Sequence, residues 1–184
     1  MLTPAQIILR VIFIGLGATA IMDVWAVIAE AAFEIPQSNF AMVGRWLGHM
    51  PQGNFNHDSI RAAAPVAGEG PLGWVAHYLV GMIFAALYVT VGGQRQLSRP
   101  QLLIALSVGV ATIVFPFFLM QPAMGAGVMA SNRPDPTSAQ LKSLMSHFSF
   151  GVGLYFAAWI QANIMPSSIE TAIVAVNDGE GGAF

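Results

Sequence analysis

The residues of this chain with the most chemical potential are four histidines and two aspartates, set in or beside apolar sequence. Asp23 lies inside one long hydrophobic segment, and His77 and His147 lie inside two others. His49, His57 and Asp58 fall in the connection between the first two segments. Ionisable groups within apolar spans are costly, so they mark ion pathways, proton relays or bound groups. Imidazole and thioether are ligands for soft metals and haem. His49, Met50, His57, Asp58, His77, Met120, Met124 and His147 are therefore candidate ligands for copper or a non-covalent haem. Asp23, His77, Gln121 and His147 are candidates for a polar pocket within the membrane. The chain has no cysteine, which excludes disulfides, thiolate metal sites and cysteine nucleophiles. No Walker loop, dinucleotide fingerprint, zinc-protease motif or serine elbow occurs, so no catalytic residue is assigned.

Each candidate also has a plain structural use. An intramembrane histidine can simply be a hydrogen-bonded packing residue, Asp23 can bond a neighbouring helix, and methionines fill core gaps. Depth favours a shared site. Counting from the long-loop ends of their segments, His77 and His147 enter at similar depth. An alternating topology places all four histidines on one side.

The elements that must position these residues follow from composition. Of 184 residues, 55% are hydrophobic and 9% charged, with mean hydropathy +0.65; a soluble domain carries about 25% charged residues. Four apolar segments account for the deficit: about Ile7 to Phe33, Leu72 to Val91, Gln101 to Met120 with a break near Pro116, and about Leu144 to Ile164. Each has the roughly 20 residues that a hydrocarbon core of about 30 Å demands. The expected fold is an all-α, four-transmembrane-helix bundle forming one domain over residues 1–166, with a mobile tail over 167–184. The rival reading of the first segment is a signal peptide with Ala18-Thr19-Ala20 at a cleavage site.

Stripes of small residues suggest which faces turn inward. Gly15, Thr19 and Asp23 recur every four residues, as do Gly73, His77, Gly81 and Ala85, and Ser143, His147, Gly151 and Tyr155. Such spacing lets helices approach closely. His77 and Gly81 match His147 and Gly151 in spacing, which suggests two duplicated helical hairpins. The connection Glu34 to Pro71 is long but carries apolar anchors and turn residues, so it is expected to be ordered and to fold over the helix ends. Within it, Gly44 to Pro51 reads as a short interfacial helix with Trp46 at the headgroups.

Net charge is −2, which gives no basic footprint for nucleic acid. The partners expected are the lipid bilayer and other membrane-protein subunits. The short connection Gly92 to Pro100 holds Arg95 and Arg99, so the positive-inside rule places it, and both termini, in the cytoplasm.

Several strings resemble a known family: Val43 through Pro51, His57-Asp58-Ser59-Ile60, and Phe117 through Gly127, together with Met22-Asp23 and Gly73-Trp74 ahead of His77. They resemble the bacterial domain of unknown function 2938, over about Gly15 to Trp159. The resemblance implies a multi-pass inner-membrane protein and implies no activity, cofactor or functional residue. Three functions stay open: an accessory subunit packed through its Gly-faced helices, placed first; a haem or copper protein; and a small proton-coupled transporter.

Overall fold

The computed structural model describes residues 2–165; the expected mobile tail lies outside the described residues. The fold is all-helical, with four helices long and apolar enough to cross a membrane: α1 (Pro4–Phe33), α3 (Glu69–Gly92), α4 (Leu102–Ala123) and α5 (Pro136–Ile164). A shorter helix, α2 (Phe40–His49), lies between α1 and α3. The spans match the expected segments with longer ends. α5 begins eight residues before Leu144, because Asp135 and Pro136 make a helix start: the Asp135 carboxylate accepts from the Ser138 N–H (3.0 Å) and proline suits the first helical position. α1 starts on a capping box, Thr3 and Gln6 exchanging bonds around Pro4. It runs unbroken through Ala18-Thr19-Ala20, and Ala18 and Thr19 are fully buried against neighbouring helices.

Pro116 shapes α4. Proline has no N–H to donate and its ring crowds the carbonyl four residues back, here that of Thr112. The helix loosens over residues 112–113 and continues as a five-residue π segment, Pro116–Met120. This local loosening bears on the site below, because Thr112 is one of its polar residues.

Small residues set the helix contacts. On α1 against α3, a Cβ on Gly15 would come 2.5 Å from the Met82 Cα, and one on Gly81 would strike the Thr19 hydroxyl. On α1 against α5, Gly17 meets Ala157 and Gly153 meets Ala18. On α4 against α5, Gly109 lies on Gly151. The core between them holds Ile14, Ala18, Ala85, Tyr88, Leu154, Ala157 and Ala158. The exterior is apolar: Leu103, Val91, Ile83 and Ile8 are each at least 60% exposed, a surface compatible with a bilayer and not with water.

The first connection is ordered, as expected, and its helix α2 begins at Phe40, four residues before the expected Gly44. After α1 the chain folds back along it: the Ile35 N–H reaches the Ala29 carbonyl (3.2 Å) and Gln37 donates to Glu30 (2.6 Å). α2 then climbs antiparallel to α3, with Phe40 beside Gly73, Trp74 and His77, Gly44 against Glu69 and Gly73, and Gly48 against Val66. Beyond α2 the connection docks on the end of α4, where the N–H groups of His57 and Ile60 donate to the carbonyls of Ala123 (2.9 Å) and Met124 (3.0 Å).

Candidate functional site

Asp23 is positioned by the α1 stripe it shares with Gly15 and Thr19. Because Gly81 lets α3 close onto that stripe, the residue one turn earlier on α3 meets the residue one turn later on α1. The result is a hydrogen bond between His77 Nε2 and Asp23 Oδ1 at 2.9 Å. Tyr78, next along α3, donates its hydroxyl to Asp23 Oδ2 at 2.9 Å. Both carboxylate oxygens are thus engaged. The His77 side chain is 9% exposed and that of Asp23 21%.

Aromatic rings flank the imidazole of this cluster. Phe40, at the N-terminal end of α2, stacks on the His77 imidazole with ring centroids 4.0 Å apart. Trp74 meets the same ring edge-on at 5.7 Å. A carboxylate–imidazole contact of this length can form with the bridging proton on either partner. With Asp23 ionised, Nε2–H donates to it; with Asp23 protonated, its O–H donates to Nε2. His77 Nδ1 makes no hydrogen bond to any described residue.

His147 does not join this cluster by any hydrogen bond among the described residues. Its Nδ1 bonds Thr112 on α4 at 2.8 Å. The Thr112 hydroxyl itself reaches the Gly109 carbonyl at 2.6 Å. A hydroxyl has one proton; given to Gly109, it leaves Thr112 Oγ1 to accept, so His147 is the Nδ1–H tautomer. His147 also enters deeper than expected, about three turns from the start of α5, since that helix begins at Pro136. The two hairpins are alike in one respect. In each, the histidine of the second helix bonds a polar side chain of the first, and the glycine one turn later packs on the first helix.

The other expected residues are dispersed. His49 and His57 meet each other, with ring centroids 5.1 Å apart, and His49 Nε2 lies 2.9 Å from the Ala64 carbonyl. Asp58 is exposed beside them. Gln121 has a buried Oε1 with no partner, and so does His57 at Nδ1. Met124 takes part through its carbonyl, and Met120 lies in the π segment; Met50 begins the turn after α2. Among the described residues, no group of three or more His, Asp or Glu converges to hold a metal ion. The ring nitrogens used by His77 and His147 go to different helices. The expected haem or copper ligation through these residues therefore has no support.

Sequence reading missed the best-connected polar group on the loop face. Arg45 is 9% exposed. It makes a two-pronged pair with Glu69 (2.8 Å and 2.8 Å) and reaches the carbonyls of Ile60, Arg61 and Ala63 (3.4, 3.4 and 3.1 Å). Glu69 also accepts from the Val66 N–H at 2.9 Å. The hydrogen bonds to Glu69 raise the Arg45 pKa above its ordinary value. One guanidinium thus ties α2, the loop and the start of α3 together, which its planar fork suits. The signal was an arginine between two apolar residue pairs, Met42-Val43 and Trp46-Leu47, a poor place for an unpaired charge. At the opposite end of the bundle, Arg10 is 5% exposed and approaches the Leu97 carbonyl at 3.5 Å. With the Gln161 amide oriented so that its oxygen faces Arg10, that oxygen accepts from Arg10 at 2.7 Å and the amide nitrogen donates to the Leu97 carbonyl at 3.2 Å.

The class this fold defines is an all-helical bundle with four membrane-length apolar helices and a carboxylate–imidazole–phenol cluster between two of them. The chain belongs to the family described as protein of unknown function DUF2938, whose profile matches residues 12–161. No curated protein and no solved structure matches it.

Proposed function

We propose that this chain is a small proton-coupled membrane transporter whose proton-exchanging centre is Asp23 with His77, tuned by Tyr78. The observation that supports it is the 2.9 Å contact between a carboxylate and an imidazole inside apolar spans, where ionisable groups are retained for function. The pair moves one proton between Asp23 Oδ1 and His77 Nε2, and His77 Nδ1 is the position at which a second proton enters or leaves. Tyr78 stabilises the ionised carboxylate by donating to its other oxygen. Phe40 and Trp74 pack on the imidazole and hold its ring in place. The proposed setting is a bacterial inner membrane with both termini cytoplasmic, read from Arg95 and Arg99 in the short second connection.

The accessory-subunit expectation drew on the glycine faces. Gly15, Gly17, Gly81, Gly109, Gly151 and Gly153 meet helices of this same chain, so the packing of the bundle already accounts for those faces. The test is made on the full chain reconstituted in vesicles with a pH-sensitive dye inside. An imposed proton gradient should collapse faster than in protein-free vesicles, and Asp23→Asn should return the rate to the protein-free value. Infrared difference spectra between acid and neutral pH should show a carboxylic C=O band that disappears in Asp23→Asn. Wild-type flux equal to empty vesicles, together with no such band, would overturn the proposal.

A further inference from the structure

A second site lies at the loop-face end of the groove between α1 and α5. Deeper in the bundle the two helices touch, where Gly153 meets Ala18. Toward the loop face they leave a cleft lined by Trp25 and Ala29 of α1 and by Lys142 and Ser146 of α5, with the returning segment at Pro36 and Gln37 forming its rim. The cleft lies where hydrocarbon gives way to headgroups. Lys142 comes just ahead of the apolar stretch that starts at Leu144, and lysine and tryptophan are side chains that settle at that boundary. Its surroundings are apolar and open to the outside, with Val24 and Ile28 on α1 and Leu144 and Phe148 on α5 all exposed.

The charge in this cleft is unbalanced. The ion pairs among the described residues join Arg45 to Glu69 and Asp23 to His77, so Lys142 has none, although it is partly buried. Its charged neighbours are Arg133 and Glu30. Glu30 accepts from Gln37 (2.6 Å) and stands beyond ion-pair reach of Lys142. Two cations and one carboxylate leave one positive charge over. The hydroxyls of Ser38 and Ser146, which bond no described residue, add neutral donors to the same lining. A single negative charge with several acceptor oxygens, carried on apolar chains, answers Lys142, the hydroxyls and the Trp25 and Met145 walls together.

We infer that this cleft holds an anionic phospholipid, with its phosphodiester on Lys142 and the serine hydroxyls and an acyl chain along the outside of the α1–α5 groove. A headgroup without an ammonium is required, because a zwitterionic one would set its own cation beside Lys142 and Arg133. The site is independent of the proton centre proposed above and shares no residue with it.

The test uses the full chain in phosphatidylethanolamine vesicles, into which phosphatidylglycerol with brominated acyl chains is titrated. Bromine quenches tryptophan fluorescence on contact, so the difference between wild type and Trp25→Phe reports on the cleft. That difference should saturate at a lower phosphatidylglycerol fraction than quenching of the remaining tryptophans. Lys142→Gln should raise the half-quenching fraction about fivefold, the loss expected for one basic contact at a membrane surface, and Lys142→Arg should leave it near the wild-type value. A measurement on the wild type alone guards against a variant that fails to insert: the preference of Trp25 for brominated phosphatidylglycerol over brominated phosphatidylethanolamine should shrink as salt rises from about 0.1 M to about 1 M. Equal quenching of Trp25 by the two brominated lipids, a half-quenching fraction unchanged in Lys142→Gln, or a preference indifferent to salt would each overturn the inference.

Discussion

Replacing Gly109 by alanine should separate α4 from α5 and break the Thr112–His147 bond in one step. A Cβ at position 109 would lie 2.4 Å from the Gly151 Cα and 2.9 Å from the His147 carbonyl oxygen, both backbone atoms that cannot rotate away. Ordinary contact begins near 3.5 Å, so the helices must part by about 1.1 Å. Overpacking of this kind costs about 1–3 kcal/mol. Thr112 sits one turn further along α4, with its hydroxyl 2.8 Å from His147 Nδ1. Adding the same displacement takes that pair to about 3.9 Å, past hydrogen-bonding range, with a further loss of about 0.5–1.5 kcal/mol. The expected total is about 2–4 kcal/mol, measured as a shift of the unfolding equilibrium in mixed micelles. A double-mutant cycle isolates the mechanism. Thr112→Val should cost about 1 kcal/mol in the wild-type background and close to nothing once Gly109→Ala has parted the helices. Nitrogen-15 spectra of His147 should show the Nδ1–H tautomer in the wild type and a mixture in Gly109→Ala. Unchanged stability in Gly109→Ala, or additive costs in the cycle, would refute the argument that Gly109 holds this bond in place.

The remaining expectations concern the loop face and the topology. Arg45→Lys should loosen the first connection, because a single ammonium cannot bridge Glu69 and three carbonyls at once; hydrogen exchange of the Ile60 N–H, bonded to Met124, should quicken, and Arg45→Met should quicken it further. Asp135 caps α5, and hydrogen bonds from the Ser138 hydroxyl and N–H hold its carboxyl below the ordinary range. A depressed folded-state pKa means the cap stabilises at neutral pH and loses its effect as pH falls through that lowered value, so the Ser138 N–H resonance should titrate below the usual aspartate range and be pH-independent in Asp135→Asn. In this cysteine-free chain, single cysteines at the exposed positions Asn54 and Ser131 should label from one side of the membrane and one at Gln94 from the other; labelling of all three from one side would sink the topology.

How much of this was legible in the sequence depended on whether a residue's partner lay on a repeating face. The four spans follow from hydropathy and length, with ends displaced by a few residues, most of all where Asp135-Pro136 start α5 in polar sequence. The Asp23–His77 contact was legible in outline, because Gly15, Thr19 and Asp23 on α1 and His77 and Gly81 on α3 fall at helical spacing, and close helices bring such stripes together. Tyr78 was not legible: it lies off that stripe, and only the rotation of α3 about the Gly81 contact brings its hydroxyl to Asp23. Thr112 was missed because threonine in a span is commonplace and its presentation depends on the local loosening that Pro116 imposes. The path of α2 was missed for a different reason. Nothing periodic in Glu34–Asn39 announces that the chain doubles back along α1, and the contact that fixes α2, Gly44 on Gly73, pairs two glycines too far apart in sequence for spacing to reveal.

The two hairpins differ in the one residue that decides their chemistry. Both place a histidine against a polar side chain across a glycine contact, yet that side chain is an aspartate for His77 and a threonine for His147. Threonine offers a hydroxyl already committed to the Gly109 carbonyl, so the His147 pair has one settled proton arrangement and acts as a fixed lock between α4 and α5. Aspartate offers a carboxylate that can hold the proton itself, so the His77 pair has two arrangements. If this difference is what separates a lock from a proton site, exchanging it should move the chemistry. Asp23→Thr should preserve the α1–α3 contact while abolishing the acid-sensitive carboxyl band and the proton flux. Thr112→Asp should introduce a new carboxyl band assignable to position 112. An Asp23→Thr variant that retained proton flux would show that the flux runs through other groups, and the assignment of Asp23 as the proton-exchanging residue would fall with it.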